Sequence, residues 1–194
     1  MSSESLRSPE LLNRASSRLL IVDVQEKLVA TLSEAVRAPL LDSCRFLADG
    51  ARLLGVPTSI SEQYPQGLGL TAAVLQEFAA DRPAKKRFSC LECLGWPTAA
   101  EATDDRYQIV VAGMETHVCV LQTALDLLSC GYQVFIVADA VASRRSIDQQ
   151  IALQRLANSG AVLTTAEAVL FEWAESAEAA EFKQLSSLVK ARGI

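Results

Sequence analysis

YQIVVAGMETHVCVLQTALDLLSCG, residues 107–131, is the stretch from which the rest of the chain is read. The apolar run Ile109, Val110 and Val111 predicts a strand over 108–112 that is covered on both faces. Gly113 breaks it, and a helix follows with Cys119 in its opening turn. Leu121, Ala124, Leu125 and Leu128 fall at i, i+3, i+4 and i+7, the spacing of one buried helix face, and Gly131 supplies a C-terminal stop. A thiol at a helix start faces the positive end of the dipole and unpaired backbone N–H groups. Both favour thiolate over thiol.

Working outward, RLLIV (18–22) predicts a buried strand ending at Asp23, a carboxylate costly to bury unless partnered or at the edge of the sheet. Leu40, Cys44, Leu47, Ala51 and Leu54 form a helical stripe within 33–54, closed by Gly55. A second strand is expected over 56–61, then the turn-rich loop SEQYPQGLG and a short helix over 71–80. AKKRFS (84–89) reads as a short third strand, and 98–105 as a polar helix or loop. Downstream come a fifth strand over 133–138 ending at Asp139, and a helix over 146–158 with a Ser146/Gln149 capping box. A sixth strand is expected over 161–165, with Thr164 and Glu167 capping the helix after it. A last helix over 177–191 places Phe182, Leu185 and Val189 on one side. This alternation, with no repeat or long linker, predicts an α/β fold: a six-stranded parallel sheet with helices on both faces. Residues 1–16, polar and aperiodic, read as a flexible N-terminal extension to one domain over 17–194.

The bulk numbers exclude several classes. With 194 residues, half of them apolar and 21% charged, the chain can bury a core and is not disordered as a whole. A net charge of -5, with no basic run beyond Lys85-Lys86-Arg87, gives nucleic-acid binding little support. No apolar run is long enough to span a bilayer and the first residues lack a signal-peptide pattern, so a cytoplasmic protein without a membrane partner is expected. Five scattered cysteines argue against a disulfide scaffold. The single histidine, His117, removes mechanisms that need two imidazoles, including most His-rich zinc sites.

In parallel sheets ligands lie beyond the C-terminal strand ends. Asp23, the 61–69 loop, the Lys85 region and Cys119 all fall on that edge. A cysteine nucleophile needs a group to take its proton and a cradle for the oxyanion. Asp23 can be the base, Lys85 or Lys86 can hold the thiolate, and N–H groups of the 113–119 turn can form the cradle. Gln63, Tyr64, Phe88 and Trp96 are candidates for a substrate wall, though ordinary packing explains them as well. His117 could line the pocket or point to solvent, and Arg144 could bind substrate or be structural. Cys90-Leu-Glu-Cys93 is a lone CxxC with no second pair.

LLIVDVQEKL, AKKRFSC and VVAGMETHVCVLQTALDLLSCGYQVFIVADAVASR closely resemble the isochorismatase-like cysteine hydrolases. SEQYPQGLG and TTAEAVLFEW resemble the branch called isochorismatase domain-containing proteins, and the likeness runs from about residue 18 to residue 190. The resemblance implies a three-layer Rossmann-like fold and a Cys–Asp–Lys triad, with Asp23 as general base and Cys119 as nucleophile. Counting back three residues from Phe88 places the lysine at Lys85; Lys86 stands where the family usually has threonine. It also implies a cis peptide at Met114–Glu115 and an oxyanion hole made by the amides of Glu115 and Cys119. Nicotinamidases of this superfamily bind metal through an Asp and two His near the second strand. SISEQYPQGLG has neither, so no metal and no cofactor are expected. The implied activity is hydrolysis of a small amide, ureido or carbamoyl C–N bond through a thioester, on a small-molecule substrate, by a homo-oligomer. The apolar segment 169–173 and the last helix are the expected oligomer surfaces. The competing readings are a catalytically idle scaffold and a thiol redox protein acting through Cys119 or the Cys90/Cys93 pair.

Overall fold

The apolar runs assemble into one sheet. In a computed structural model, which describes residues 7–192, its strands are β1 (Ser17–Val22), β2 (Thr58–Gln63), β3 (Ala84–Lys85), β4 (Gln108–Met114), β5 (Gln133–Ala142) and β6 (Val162–Thr164). They lie in the order β3-β2-β1-β4-β5-β6 and every pairing between them is parallel. The α-helices are α1 (Glu26–Val29), α2 (Glu34–Leu54), α3 (Pro65–Leu68), α4 (Leu91–Leu94), α5 (Leu121–Ser129), α6 (Ser146–Asn158), α7 (Ala166–Ala174) and α8 (Phe182–Ala191).

Alternation along the strands divides the core into two layers, because successive side chains point to opposite faces. Leu19, Ile21, Val110, Ala112, Phe135 and Val137 pack with Cys44, Leu47 and Ala51 of α2, Leu170 and Trp173 of α7, and Leu185 of α8. Leu20, Val22, Ile109, Val111, Val134 and Ile136 pack with Ala124 and Leu127 of α5 and Leu156 of α6. Helices therefore cover both faces of a parallel sheet, the three-layer α/β arrangement expected.

Several boundaries differ from the expectations. Strand β5 runs past Asp139 to Ala142, because a register shift at Val111/Gly113 lets Val141 and Ala142 pair with the end of β4. Asp139 sits mid-strand and accepts the amide of Ala166 at 2.8 Å, at the start of α7. The N-cap of α7 is Thr165, whose hydroxyl accepts from the Ala168 amide, rather than Thr164. Arg145, not Ser146, precedes α6, and Gln149 donates to the Val141 carbonyl instead of closing a capping box. Residues 73–78 form a 3₁₀-helix, and the last helix begins only at Phe182. In α5 the buried face is Leu121, Ala124 and Leu127, with Leu125 and Leu128 half-buried at its margin.

Two larger differences concern surfaces. Residues 7–16 lie against the domain: Leu12 is fully buried, its amide donates to Glu172, and Arg7 donates to the carbonyls of Leu12 and Glu172. The part of the expected extension before residue 7 lies outside the described residues. Segment 169–173 is not a free surface either. Val169, Leu170 and Trp173 are buried in the chain's own core, and α7 approaches α2 so closely that a Cβ on Gly50 would lie 2.5 Å from Leu170. Exposed apolar side chains include Ile147 and Ile151 of α6 and Val162 and Leu163 of the edge strand β6.

Candidate active site

The sheet order brings the ends of β3, β2, β1 and β4 together, and each carries a polar or thiol side chain at or just beyond its C-terminal end. Asp23 follows β1 with φ 51° and is fully buried. Ser61 and Gln63 end β2, Lys85 ends β3, and Cys119 lies in the turn after β4.

Lys85 is the hub. Its ammonium group donates to Asp23 Oδ2 at 2.7 Å, Gln63 Oε1 at 2.6 Å and the Phe88 carbonyl at 2.8 Å, with Arg87 O at 3.3 Å. The side chain is 3% exposed and that of Asp23 0%. Burial pulls the Lys85 pKa down, but the Asp23 carboxylate, helped by Cys90 and Cys119, outweighs it and leaves the pKa raised. The buried lysine is a cation. Lys86 is exposed, so the structure distinguishes the two lysines by burial alone.

Asp23 has both oxygens engaged, since the Ser61 hydroxyl donates to Oδ1 at 2.8 Å. Gln63 is in turn fixed from two sides. Its Nε2 donates to Lys86 O at 2.8 Å, its amide donates to Gln25 Oε1 at 2.7 Å, and its carbonyl accepts from Gln25 Nε2 at 3.1 Å. Gln25 also donates to Gly69 O at 2.6 Å, tying the loop after β2 to the end of β1. Ser61 and Gln25 were absent from the residues singled out in the sequence. The available signal was their position: polar side chains one or two residues from a buried strand end in VDVQ and SISEQ.

Cys119 sits differently from the expectation. Residues Thr116–Val120 form a π-helical turn, and α5 begins only at Leu121. The sulfur is therefore not in the first turn of a regular helix. Cys119 is 6% exposed, and its thiol is pushed up to about 12 by burial and then by the negative charge of Asp23, against an opposing pull from Lys85. The expected thiolate is corrected: desolvation and a buried carboxylate outweigh the helix end. Gly113, at φ 119°, permits this geometry, because a Cβ there would lie 2.1 Å from the Val22 carbonyl oxygen. The Met114–Glu115 peptide is cis. Among the described residues the Glu115 amide has no acceptor, while the Glu115 carboxylate accepts from the amide and Nε of Arg144 at 3.1 and 2.9 Å.

The other candidates divide. Tyr64 and Phe88 are about half exposed. His117 bonds Ser143 Oγ at 3.0 Å through Nδ1. Trp96 is not part of the site: it packs on Tyr132 and under the Arg18 guanidinium, at the opposite end of β1. Arg144 is committed to Glu115. A cavity of about 370 Å³ lies beside β3, lined by residues that include Lys85, Lys86, Arg87, Glu92 and Cys93, with neither Asp23 nor Cys119 on its wall. No group of three or more His, Cys, Asp and Glu side chains that could hold a metal occurs among the described residues.

Residues 17–168 match the Isochorismatase domain family. Isochorismatase domain-containing protein 2 from Bos taurus is 40% identical over 178 residues, covering 90% of this chain and 83% of that protein. Isochorismatase domain-containing protein 1 from Danio rerio is 37% identical over 180 residues, 92% of this chain but only 62% of that longer protein. Among solved structures, the MAR1 ribonuclease from Caenorhabditis elegans superposes with a TM-score of 0.82 at 34% identity, covering 93% of this chain and 92% of that one.

Proposed function

This chain belongs to the Isochorismatase domain family, and on that premise we propose that it is a metal-independent cysteine hydrolase cleaving a small amide, ureido or carbamoyl C–N bond. The observation that carries the reading is the 2.7 Å ion pair of Lys85 and Asp23, buried beside a thiol whose titration both groups shift. A buried ion pair is costly to maintain and weak as a stability device. Its placement against a sulfur at the ligand-binding edge of a parallel sheet supports a chemical role.

Cys119 rests as a thiol, so attack begins with proton transfer. Asp23 accepts the S–H proton as the sulfur adds to the carbonyl carbon, and Lys85 keeps its positive charge beside the negative charge as that passes from carboxylate to sulfur. The oxyanion is held by the amides of Glu115 and Cys119. Collapse expels the amine, which takes the proton from Asp23 and leaves a thioester on Cys119. Asp23 then draws a proton from water, hydroxide adds to the thioester, and the acid and the free thiol are released. Ser61 and Gln63 hold Asp23 and Lys85 in register through these steps, while Tyr64, Phe88 and His117 border the substrate.

The nematode relative is a ribonuclease, but RNA hydrolysis finds little support in a chain of net charge -5 with one histidine. The test is a hydrolysis screen of small amides and ureides, with RNA alongside, using wild type and Cys119→Ala. Turnover of an amide or ureide should fall at least ~10³-fold in the variant, whose circular dichroism stays native. Undiminished turnover by Cys119→Ala, or cleavage of RNA alone, contradicts the reading.

A further inference from the structure

Outside the proposed hydrolytic machinery two neighbouring thiols are left unused, Cys90 and Cys93. Cys90 is fully buried, and its sulfur lies 3.2 Å from Ser61 Oγ. The single Ser61 hydroxyl proton is already given to Asp23 Oδ1 at 2.8 Å. The contact with Cys90 can then be a hydrogen bond only with the thiol donating. A continuous path, Cys90 S–H to Ser61 to Asp23, runs behind the proposed catalytic carboxylate.

Cys93 is at the other end of the pair. It is half-buried, donates to the Cys90 carbonyl at 3.2 Å, and faces the 370 Å³ cavity with Lys86 and Arg87. Arg87 is shared with Glu92 at 3.6 Å; Lys86 makes no ion pair among the described residues. Leu94 N donates to Cys90 O at 3.0 Å, so residues 90–94 form a helical turn. In such a turn residues three apart have Cα atoms about 5 Å from each other. That is inside the range of roughly 4.4–6.8 Å that a disulfide spans.

We propose that Cys93 and Cys90 form a dithiol site that reacts with small anionic disulfides, Cys93 attacking from the cationic cavity and Cys90 resolving the adduct. The Cys93 thiolate attacks one sulfur of the disulfide RSSR, forming Cys93–S–S–R and releasing RS⁻. Cys90 passes its proton through Ser61 to Asp23 and attacks the Cys93 sulfur, which expels a second RS⁻. Asp23 and solvent supply the two protons that convert these into RSH. Two protein thiols are oxidised and one RSSR is reduced. The new bond withdraws Cys90 from Ser61, so the second consequence is a change around Asp23 and Cys119. The inference goes beyond the hydrolase reading and does not depend on it.

The test treats the full chain with glutathione disulfide, quenches with acid, alkylates, and maps peptides by mass. Wild type should yield a Cys90–Cys93 cross-link, two hydrogens lighter than the dithiol. Cys90→Ser should stop at a glutathione adduct on Cys93. Cys93→Ser, a change at a half-buried position that keeps a donor to the Cys90 carbonyl, should give neither product. The alkylation rate of Cys119 at pH 9 should differ at least threefold between oxidised and reduced wild type. Adducts on Cys44, Cys119 or Cys130 with Cys90 and Cys93 still alkylatable would overturn the site. A cross-link that leaves Cys119 alkylation unchanged would overturn its link to Asp23. No readout uses hydrolysis, so failure here is distinct from failure of the proposed activity.

Discussion

Burial and the Asp23 charge together hold the Cys119 thiol at about 12, and this fixes how the sulfur behaves before substrate arrives. Below that value the thiolate fraction rises tenfold per pH unit, so alkylation of Cys119 by iodoacetamide should climb steadily from pH 7 to pH 10 without levelling. A plateau below pH 8.5 would show a thiolate at rest and contradict the arrangement. The same pair of charges separates the two lysines. Lys85→Met leaves the Asp23 carboxylate buried without its cation, a loss of about 3–5 kcal/mol in urea unfolding. Lys86→Met, at an exposed side chain, should stay within about 0.5 kcal/mol of wild type. Equal effects from the two substitutions would contradict the assignment of Lys85 to the site.

Element by element, the turn between β4 and α5 makes the strictest demand on sequence. At Gly113 a methyl group would meet the Val22 carbonyl oxygen at 2.1 Å and force a φ of 119° on a residue with a Cβ. Gly113→Ala should therefore destabilise by at least about 3 kcal/mol, read as a lowered thermal midpoint. An unchanged midpoint would mean that β1 and β4 can part there without cost. The strand-helix alternation was legible because buried parallel strands are runs such as LLIV and IVV, and their polar end residues mark the ligand edge. What was not legible depended on partners distant in sequence. The π-helical turn at Thr116–Val120 has no composition signal, and the extension of β5 to Ala142 follows from its pairing with Met114. The thiol's direction of titration is not legible locally, because the burial that dominates it and the charge of Asp23 both come from other elements of the fold. Ser61 and Gln25 gained meaning only when β2 was laid beside β1.

For the whole molecule, the distribution of exposed apolar side chains moves the expected contact surface. Val169, Leu170 and Trp173 are spent in the chain's own core, while Ile147, Ile151, Val162 and Leu163 remain about half exposed on α6 and the unpaired edge strand β6. An edge strand with exposed apolar side chains is a surface that a second copy of the chain could cover. Sedimentation of wild type should give a mass of at least two chains, and the pair Ile151→Glu and Leu163→Glu should shift it towards one. A monomeric wild type would contradict this surface assignment. No helix among the described residues is long and apolar enough to cross a membrane. The proposed hydrolysis requires Cys119 to form a covalent intermediate. With the first amide or ureide found to be turned over, wild type is quenched in acid during steady state and its peptides are weighed. The acyl group of the substrate is expected on Cys119, and none on Cys44, Cys90, Cys93 or Cys130. Turnover with no acyl group on Cys119 would contradict it.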